Sequence, residues 1–200
     1  MPNVNSPFGL RPVSYRNGSG YAGRGTVYNI ASGDTNAYAP GDPVVLSGAG
    51  TATGIPVVTL ATAGTGNQVL GSIIAVGGTK YGGVLADPAS LDSVIIPATK
   101  TKAYFVLVAD DPDLEFEIQE DSVGGDIAVA SLGANFNLVS GTNNGYASGW
   151  MLDSSSVATT ATLQLQLLRL SQRPDNAVGT YAKWIVRIVN HSFNAGTTGV

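Results

Sequence analysis

Between Thr26 and Asn190 the sequence is cut into short apolar runs by glycine, proline and asparagine. Examples are Thr26–Ile30, Pro43–Leu46, Ile55–Ala61, Leu70–Val76, Val84–Leu85 and Val94–Ile96. The runs recur every 10 to 15 residues or so and are rich in β-branched side chains, the pattern of a sandwich or barrel. No repeat of 20 to 50 residues emerges, so solenoids and propellers are excluded. Parallel pairing needs long crossovers that are absent here, which leaves antiparallel strands. The expected fold is all-β, an antiparallel jelly-roll-like sandwich or barrel with at most one short helix. That helix falls at Asp126–Gly133, with Asp126 capping its start and Gly133 its end.

The densest stretch is Thr101–Val123. Tyr104–Val108 is an unbroken run of β-branched, aromatic and leucine residues, as in a strand buried on both faces, whereas Leu114–Ile118 alternates apolar and acidic residues, as in a strand with one wet face. Ala109-Asp110-Asp111-Pro112-Asp113 lies between them and reads as a hairpin turn. Seven of the chain's 14 acidic residues fall in this stretch, so its charged half is expected at a sheet edge or facing a neighbour. Downstream, Ala161–Leu170 is amphipathic, with apolar residues at odd positions through Leu167 and then at Leu168 and Leu170. That phase slip predicts a β-bulge at Leu167–Leu168. Lys183–Asn190 forms the last strand, with Trp184, Val186 and Ile188 on one face.

Residues 1–25 hold Pro2, Pro7 and Pro12 among glycines, yet Val4, Phe8, Leu10, Val13 and Tyr15 are too apolar for a solvated tail. An extended N-terminal arm lying on another surface reconciles the two; an N-terminal strand tucked onto its own domain is the alternative. The expected organisation is an arm over 1–25, one β-rich domain over 26–193 and a frayed tail over 194–200. A chain of 200 residues buries roughly 70% of its unfolded surface and needs no staple.

Several chemistries are closed by composition. With no cysteine, a disulfide framework, a thiolate metal site and a cysteine nucleophile are excluded together. Charged residues make up 12% of the chain, about half the usual share, and the net charge of −4 with scattered basic residues argues against nucleic acid. No apolar run reaches the 18 or so residues of a membrane span. The opening residues lack a basic region followed by an apolar core, so synthesis in a cytoplasm without export by the general route is expected.

Candidate sites are few. His191, the only histidine, is flanked by Asn190 and Ser192 without a nucleophile elbow, and is expected at a surface or interface. Gly18–Gly23 matches G-x-G-x-x-G but has neither the strand before it nor the helix after it that phosphate binding requires. Glu115 and Glu117 share a strand face at roughly 6 to 7 Å, a spacing that glycosidases can use. Asp110, Asp111 and Asp113 offer oxygens for Ca²⁺, but the turn lacks the glycine of an EF-hand loop. The simpler reading of these carboxylates is a partner-facing patch or a guarded edge. No catalytic, cofactor or metal residue is assigned.

Six segments carry a resemblance. They are Asn3–Pro12 (NVNSPFGLRP), Gly41–Val44 (GDPV), Ala109–Pro112 (ADDP), Phe116–Ser122 (FEIQEDS), Thr160–Asn176 and Ala182–Phe193. In this order, over almost the whole chain, the set resembles the head decoration, or cement, proteins of tailed bacteriophages. The resemblance implies a non-enzymatic virion protein on the outer capsid surface, made in the host bacterial cytoplasm. It implies a β-rich body of jelly-roll or barrel type, commonly trimeric, whose arm grips major capsid subunits and stabilises the head against DNA pressure. Its partners would be the major capsid protein and its own copies, with no nucleic acid, membrane or cofactor. Capsid-contact candidates are Pro7, Phe8, Leu10, Arg11 and Pro12. Subunit-interface candidates are Asp110, Asp111, Glu115 and Glu117, answered by Lys100, Lys102 or Arg169 of an adjacent copy. A second reading is a receptor- or carbohydrate-binding module of a virion tail, with Tyr81, Tyr146 and Trp150 as its aromatic platform.

Overall fold

A computed structural model describes residues 3–77 and 94–194. Among these residues twelve strands carry the fold: β1 (Arg11–Tyr15), β2 (Thr26–Ile30), β3 (Pro43–Gly50), β4 (Pro56–Leu60), β5 (Gly71–Val76), β6 (Tyr104–Ala109), β7 (Leu114–Gln119), β8 (Asn135–Phe136), β9 (Leu138–Val139), β10 (Met151–Leu152), β11 (Leu165–Leu170) and β12 (Lys183–Ile188). The all-β expectation holds. Strands β2-β4-β3-β5-β6 close into a barrel, β1-β7-β12-β11-β8 form an open sheet, and β9 and β10 form a short ribbon. Pairing is antiparallel throughout the named strands except at Asn29 with Val57, where β2 meets β4 in parallel.

Each assembly has its own core. Tyr28, Ile30, Val44, Ile73, Val106 and Val108 fill the barrel. Leu10, Phe116, Ile118, Leu165, Trp184 and Val186 pack beneath the sheet. Leu60 touches both clusters. Each of these large side chains contributes roughly 1.5 to 3 kcal/mol by leaving water.

The hairpin expected at 101–123 does not form. β6 pairs with β2 and β5 in the barrel, whereas β7 pairs with β1 and β12 in the sheet. The Asp110–Asp113 turn therefore carries the chain from one assembly to the other. Burial is also the reverse of the expectation. β6 alternates, with Tyr104, Val106 and Val108 buried inside the barrel and Phe105 and Leu107 half-buried outside, because a closed barrel gives each strand one inward face. All six residues of β7 are buried, its carboxylates included. β7 is the second of five strands, so the acidic strand is not an edge.

The amphipathic segment begins its strand at Leu165, later than expected. Its bulge is where the phase slip put it: the register with β12 jumps between Leu167 and Arg169, leaving Leu168 as the extra residue. The expected helix at 126–133 is only a 3-10 turn at Val129–Ser131, and Asp126 does not cap it. Ile127 is buried while Val129 and Leu132 are exposed, so a longer helix would have no apolar stripe to bury. The segment Asn135–Val139 is divided between β8, which pairs with β11, and β9, which pairs with β10. In the run Val94–Ile96, Ile96 pairs with Tyr38 in an isolated bridge. The strand at Val84–Leu85, Tyr81 and nearly all of the 194–200 tail lie outside the described residues.

Residues 3–15 are not an arm leaving the body. β1 is an edge strand of the sheet on β7, and Asn3 donates through its amide to the Ala177 and Thr180 carbonyls. The crossing onto the barrel is made at Gly9 and Gly41, both with positive φ (+71° and +93°). A Cβ on Gly9 would sit 2.1 Å from the Gly41 carbonyl oxygen, and one on Gly41 as close to that of Phe8. No other residue fits that contact. Leu10 N–H then donates to the Gly41 carbonyl at 2.9 Å, and the Ser72 hydroxyl donates to the Leu10 carbonyl. Both edges of the sheet are occupied by the chain itself. Tyr21 N–H bonds the Val13 carbonyl beside β1, and Asn135 exchanges two backbone bonds with Ala158 beside β8, which blocks pairing with a foreign strand.

Candidate functional site

Three concave features stand out. The first is an apolar groove of about 500 Å³ where β1 meets the barrel, walled by Phe8, Pro12 and Tyr21 on one side and by Ile74, Ala75 and Leu107 on the other. Four of the five capsid-contact candidates (Phe8, Leu10, Arg11 and Pro12) line it; Pro7 precedes them, half-buried. The Arg11 guanidinium sits 4.9 Å from the Phe8 ring centroid, a cation–π contact that holds the ring at the rim. Leu10 is a correction. It is fully buried in this chain's own core and presents no side chain to another protein.

The second feature is the polar face of the five-stranded sheet. Because side chains alternate along β7, its apolar residues point into the core and Glu115, Glu117 and Gln119 share the opposite face. β1 places Arg11 opposite Glu117 and Ser14 opposite Glu115. Arg11 and the Ser171 hydroxyl donate to Glu117, and Arg173 forms a looser ion pair with it at 3.6 Å. Arg169 donates to Glu115 at 2.6 Å and the Ser14 hydroxyl donates to the same oxygen at 2.8 Å. The bond from Arg169 holds the Glu115 carboxyl below the usual carboxylate range against the opposing effect of burial. A groove of about 450 Å³ runs over this ladder.

The interface candidates Glu115, Glu117 and Arg169 therefore do meet, but within one chain. Glu115 and Glu117 are buried and have their charge answered, so they are not an outward patch seeking a neighbour's lysine. Lys100 is a further correction. Its side chain is completely buried in a cage where Nζ donates to the carbonyls of Asp34 (2.7 Å) and Asn36 (2.6 Å) and to the Asp34 carboxylate (3.3 Å). The Tyr38 ring centroid is 5.2 Å from Nζ. Burial pushes the Asp34 carboxyl up, but the Asn36 N–H, the Tyr38 and Thr59 hydroxyls and Lys100 outweigh it and leave it below its ordinary value. Lys102 is exposed.

The third feature is a polar cleft of about 710 Å³ lined by Tyr15, Arg16, Asn17, Arg24, Asp111 and Asp113. Asp111 caps the Asp113 N–H at 2.8 Å. Asp110 turns away and accepts the hydroxyls of Tyr28 (2.7 Å) and Thr26 (3.1 Å). The three aspartates do not converge. Among the described residues no group of three or more acidic or histidine side chains is placed to hold a metal ion, and no helix is long and apolar enough to cross a membrane.

His191 is fully buried, contrary to its expected surface position. It bridges Val69 between sheet and barrel and accepts the Phe193 N–H through Nδ1 at 3.0 Å, which puts the neutral ring's proton on Nε2. Burial pushes its pKa below the ordinary value. Sequence gave no sign of this, because the strand end that holds it is polar. Trp150 is also buried while Tyr146 is exposed, so these two do not form a glycan-stacking platform. Asp42 could not have been singled out either. Burial pushes its carboxyl up to about 6, although it accepts the Ala39 N–H at 2.7 Å.

Comparison with protein-family models, with curated proteins and with solved structures finds no match.

Proposed function

We propose that this chain is a structural protein of a tailed-bacteriophage virion. It binds the outside of the capsid as a homotrimer, bridges major capsid subunits and helps the head resist the pressure of its DNA. The role is mechanical and uses no catalysis or cofactor; the chain is made in the host bacterial cytoplasm and acts on the outer capsid surface. The collinear set of segments from Asn3 to Phe193 carries this reading. The apolar groove supports it, since Phe8 and Pro12, both within the first of those segments, line a concave surface suited to a capsid loop. Trimerisation would make the second and third contacts intramolecular, so modest single-site affinities combine into firm attachment.

The test is co-sedimentation with DNA-free heads, together with the mass in solution. Expected are a mass of three chains and saturable binding that is lost when Phe8→Ser is combined with Ile74→Glu. A monomer that leaves heads unbound, or a double variant that binds as well as the parent, overturns the reading.

A further inference from the structure

The polar sheet face has more positive charge than its own carboxylates use. The whole chain is acidic, with a formal charge of −4. Yet five of its ten basic side chains (Arg11, Arg169, Arg173, Lys183 and Arg187) lie on or beside this face, set by the register of β7 with β1 and β12 and of β11 with β12. Among the described residues only Glu115, Glu117 and Asp175 oppose them there.

The two signs are also placed differently. The Glu117 and Glu115 side chains are 2% and 11% exposed, whereas those of Arg11 and Arg169 are about half exposed. Arg11 and Arg169 each use one nitrogen on a glutamate, and their other N–H groups bond nothing among the described residues. Arg173 spends its fork on Asp175 at 2.9 Å and turns its remaining nitrogen to Glu117. The carboxylates thus act as a buried floor that orients guanidiniums toward the groove.

At one end the chain covers this face itself. Ser6 N–H bonds the Gln119 side chain, and Lys183 Nζ reaches the Val4 carbonyl at 3.4 Å. The middle of the face, over Ile185 and between Arg11 and Arg169, stays open as the groove.

We infer that this groove is a docking surface for a carboxylate-bearing segment of a partner protein, gripped by the free N–H groups of Arg11 and Arg169, with Arg173 adding positive charge at the rim. Guanidinium forks match carboxylates in two-point geometry. The floor decides between protein and nucleic acid. Glu115 and Glu117 interrupt the positive charge, so separated carboxylates fit between the arginines while a continuous run of phosphates meets repulsion. This surface shares Arg11 with the apolar groove but is otherwise lined by different residues, and it does not depend on a capsid being the partner.

The probe is a fluorescently labelled peptide of alternating glutamate and glycine, titrated against the full chain and followed by anisotropy. A lysine–glycine peptide and a single-stranded DNA oligomer serve as comparisons. Expected is binding of the glutamate peptide that weakens with added salt and falls about tenfold or more in Arg169→Gln/Arg173→Gln. That variant also strips Glu115 of its cation, so Gln172→Glu is the second variant. Gln172 is exposed, lines the groove and, among the described residues, its side chain bonds only the Leu170 carbonyl. An added carboxylate there should weaken the peptide severalfold without changing the melting temperature. Absent binding at low salt, binding indifferent to both variants, or tighter binding of DNA than of the peptide would each overturn the inference.

Discussion

The barrel and the sheet each bury a carboxylate with a cation, and they do so in opposite ways. In the barrel the cation is sealed in: the Lys100 side chain is completely buried and its ammonium is surrounded by carbonyl and carboxylate oxygens and a tyrosine ring. On the sheet the anions are sealed in, and the arginines above them keep donors free in water. A saturated buried charge has no capacity left for a ligand and acts as a clamp. A buried charge with a half-exposed partner holds that partner in place and leaves it available. Burial of charge alone does not mark a binding surface; the side of the pair that still meets solvent does.

The largest effect should come from breaking the saturated pair. Lys100→Met leaves the Asp34 carboxylate and two carbonyls without their donor, and removal of one member of a buried pair typically costs about 3 to 5 kcal/mol. Urea unfolding should show that loss. A cost within about 1 kcal/mol would mean that Asp34 is held by the Asn36 N–H and the Tyr38 and Thr59 hydroxyls without help from Lys100. Asp34 and Glu115 both have lowered pKa values, so their contribution to stability is full above the usual carboxylate pKa. It fades as pH falls through their lower folded values.

Asp42 sharpens the comparison because it is a buried carboxylate with no cation. Its folded pKa is about 6 against an ordinary 3.8, which gives the opposite sign. The folded state holds the proton more tightly, so the contribution of Asp42 to stability is greatest below about pH 4 and declines as pH rises to about 6, by roughly 3 kcal/mol at most. Asp42→Asn should therefore be more stable than the parent at pH 7, and the gap should close toward pH 4. A variant less stable at pH 7 would show that the bond to Ala39 N–H outweighs the burial of charge.

These charge arrangements were the least readable part of the sequence, and the reason is distance along the chain. Leu114–Ile118 alternates apolar and acidic residues, and alternation ordinarily means one wet face. Here Arg11 from β1 and Arg169 from β11 cover that face, more than 50 residues away on either side. Tyr104–Val108 misled in the other direction, since a closed barrel half-exposes the outward residues of even an unbroken apolar run. The hairpin failed for a related reason: Pro112 and its aspartates specify a turn, but not whether the two strands that it joins pair with each other. The bulge at Leu168 and the core face Trp184-Val186-Ile188 were readable because each is set by the period of one strand against one core. The groove residues Phe8 and Pro12 were noticed for being apolar and conformationally restricted. Only the fold could add their barrel wall and show that Leu10 is core.

The open pairs should be cheaper to break than the sealed one. Arg169→Gln leaves Glu115 its Ser14 hydroxyl and some access to water, so a loss of about 1 kcal/mol is expected, measured by the same urea titration. If Arg169→Gln cost as much as Lys100→Met, the arginines would be structural clamps too, and the claim that they hold donors in reserve would fail.

The smallest effect belongs to a pair exposed on both sides. Arg16 and Asp113 lie 3.6 Å apart with side chains 53% and 71% exposed. Arg16→Gln should change stability by no more than about 0.5 kcal/mol, and that little should vanish with added salt. Both residues line the large polar cleft, so this variant also tests whether exposure alone confers a role there. A loss above about 1 kcal/mol that persisted in high salt would mean that the Arg16 side chain holds the 15–21 loop by packing. The gradation from sealed to half-open to open pairs would then not be a matter of solvent access.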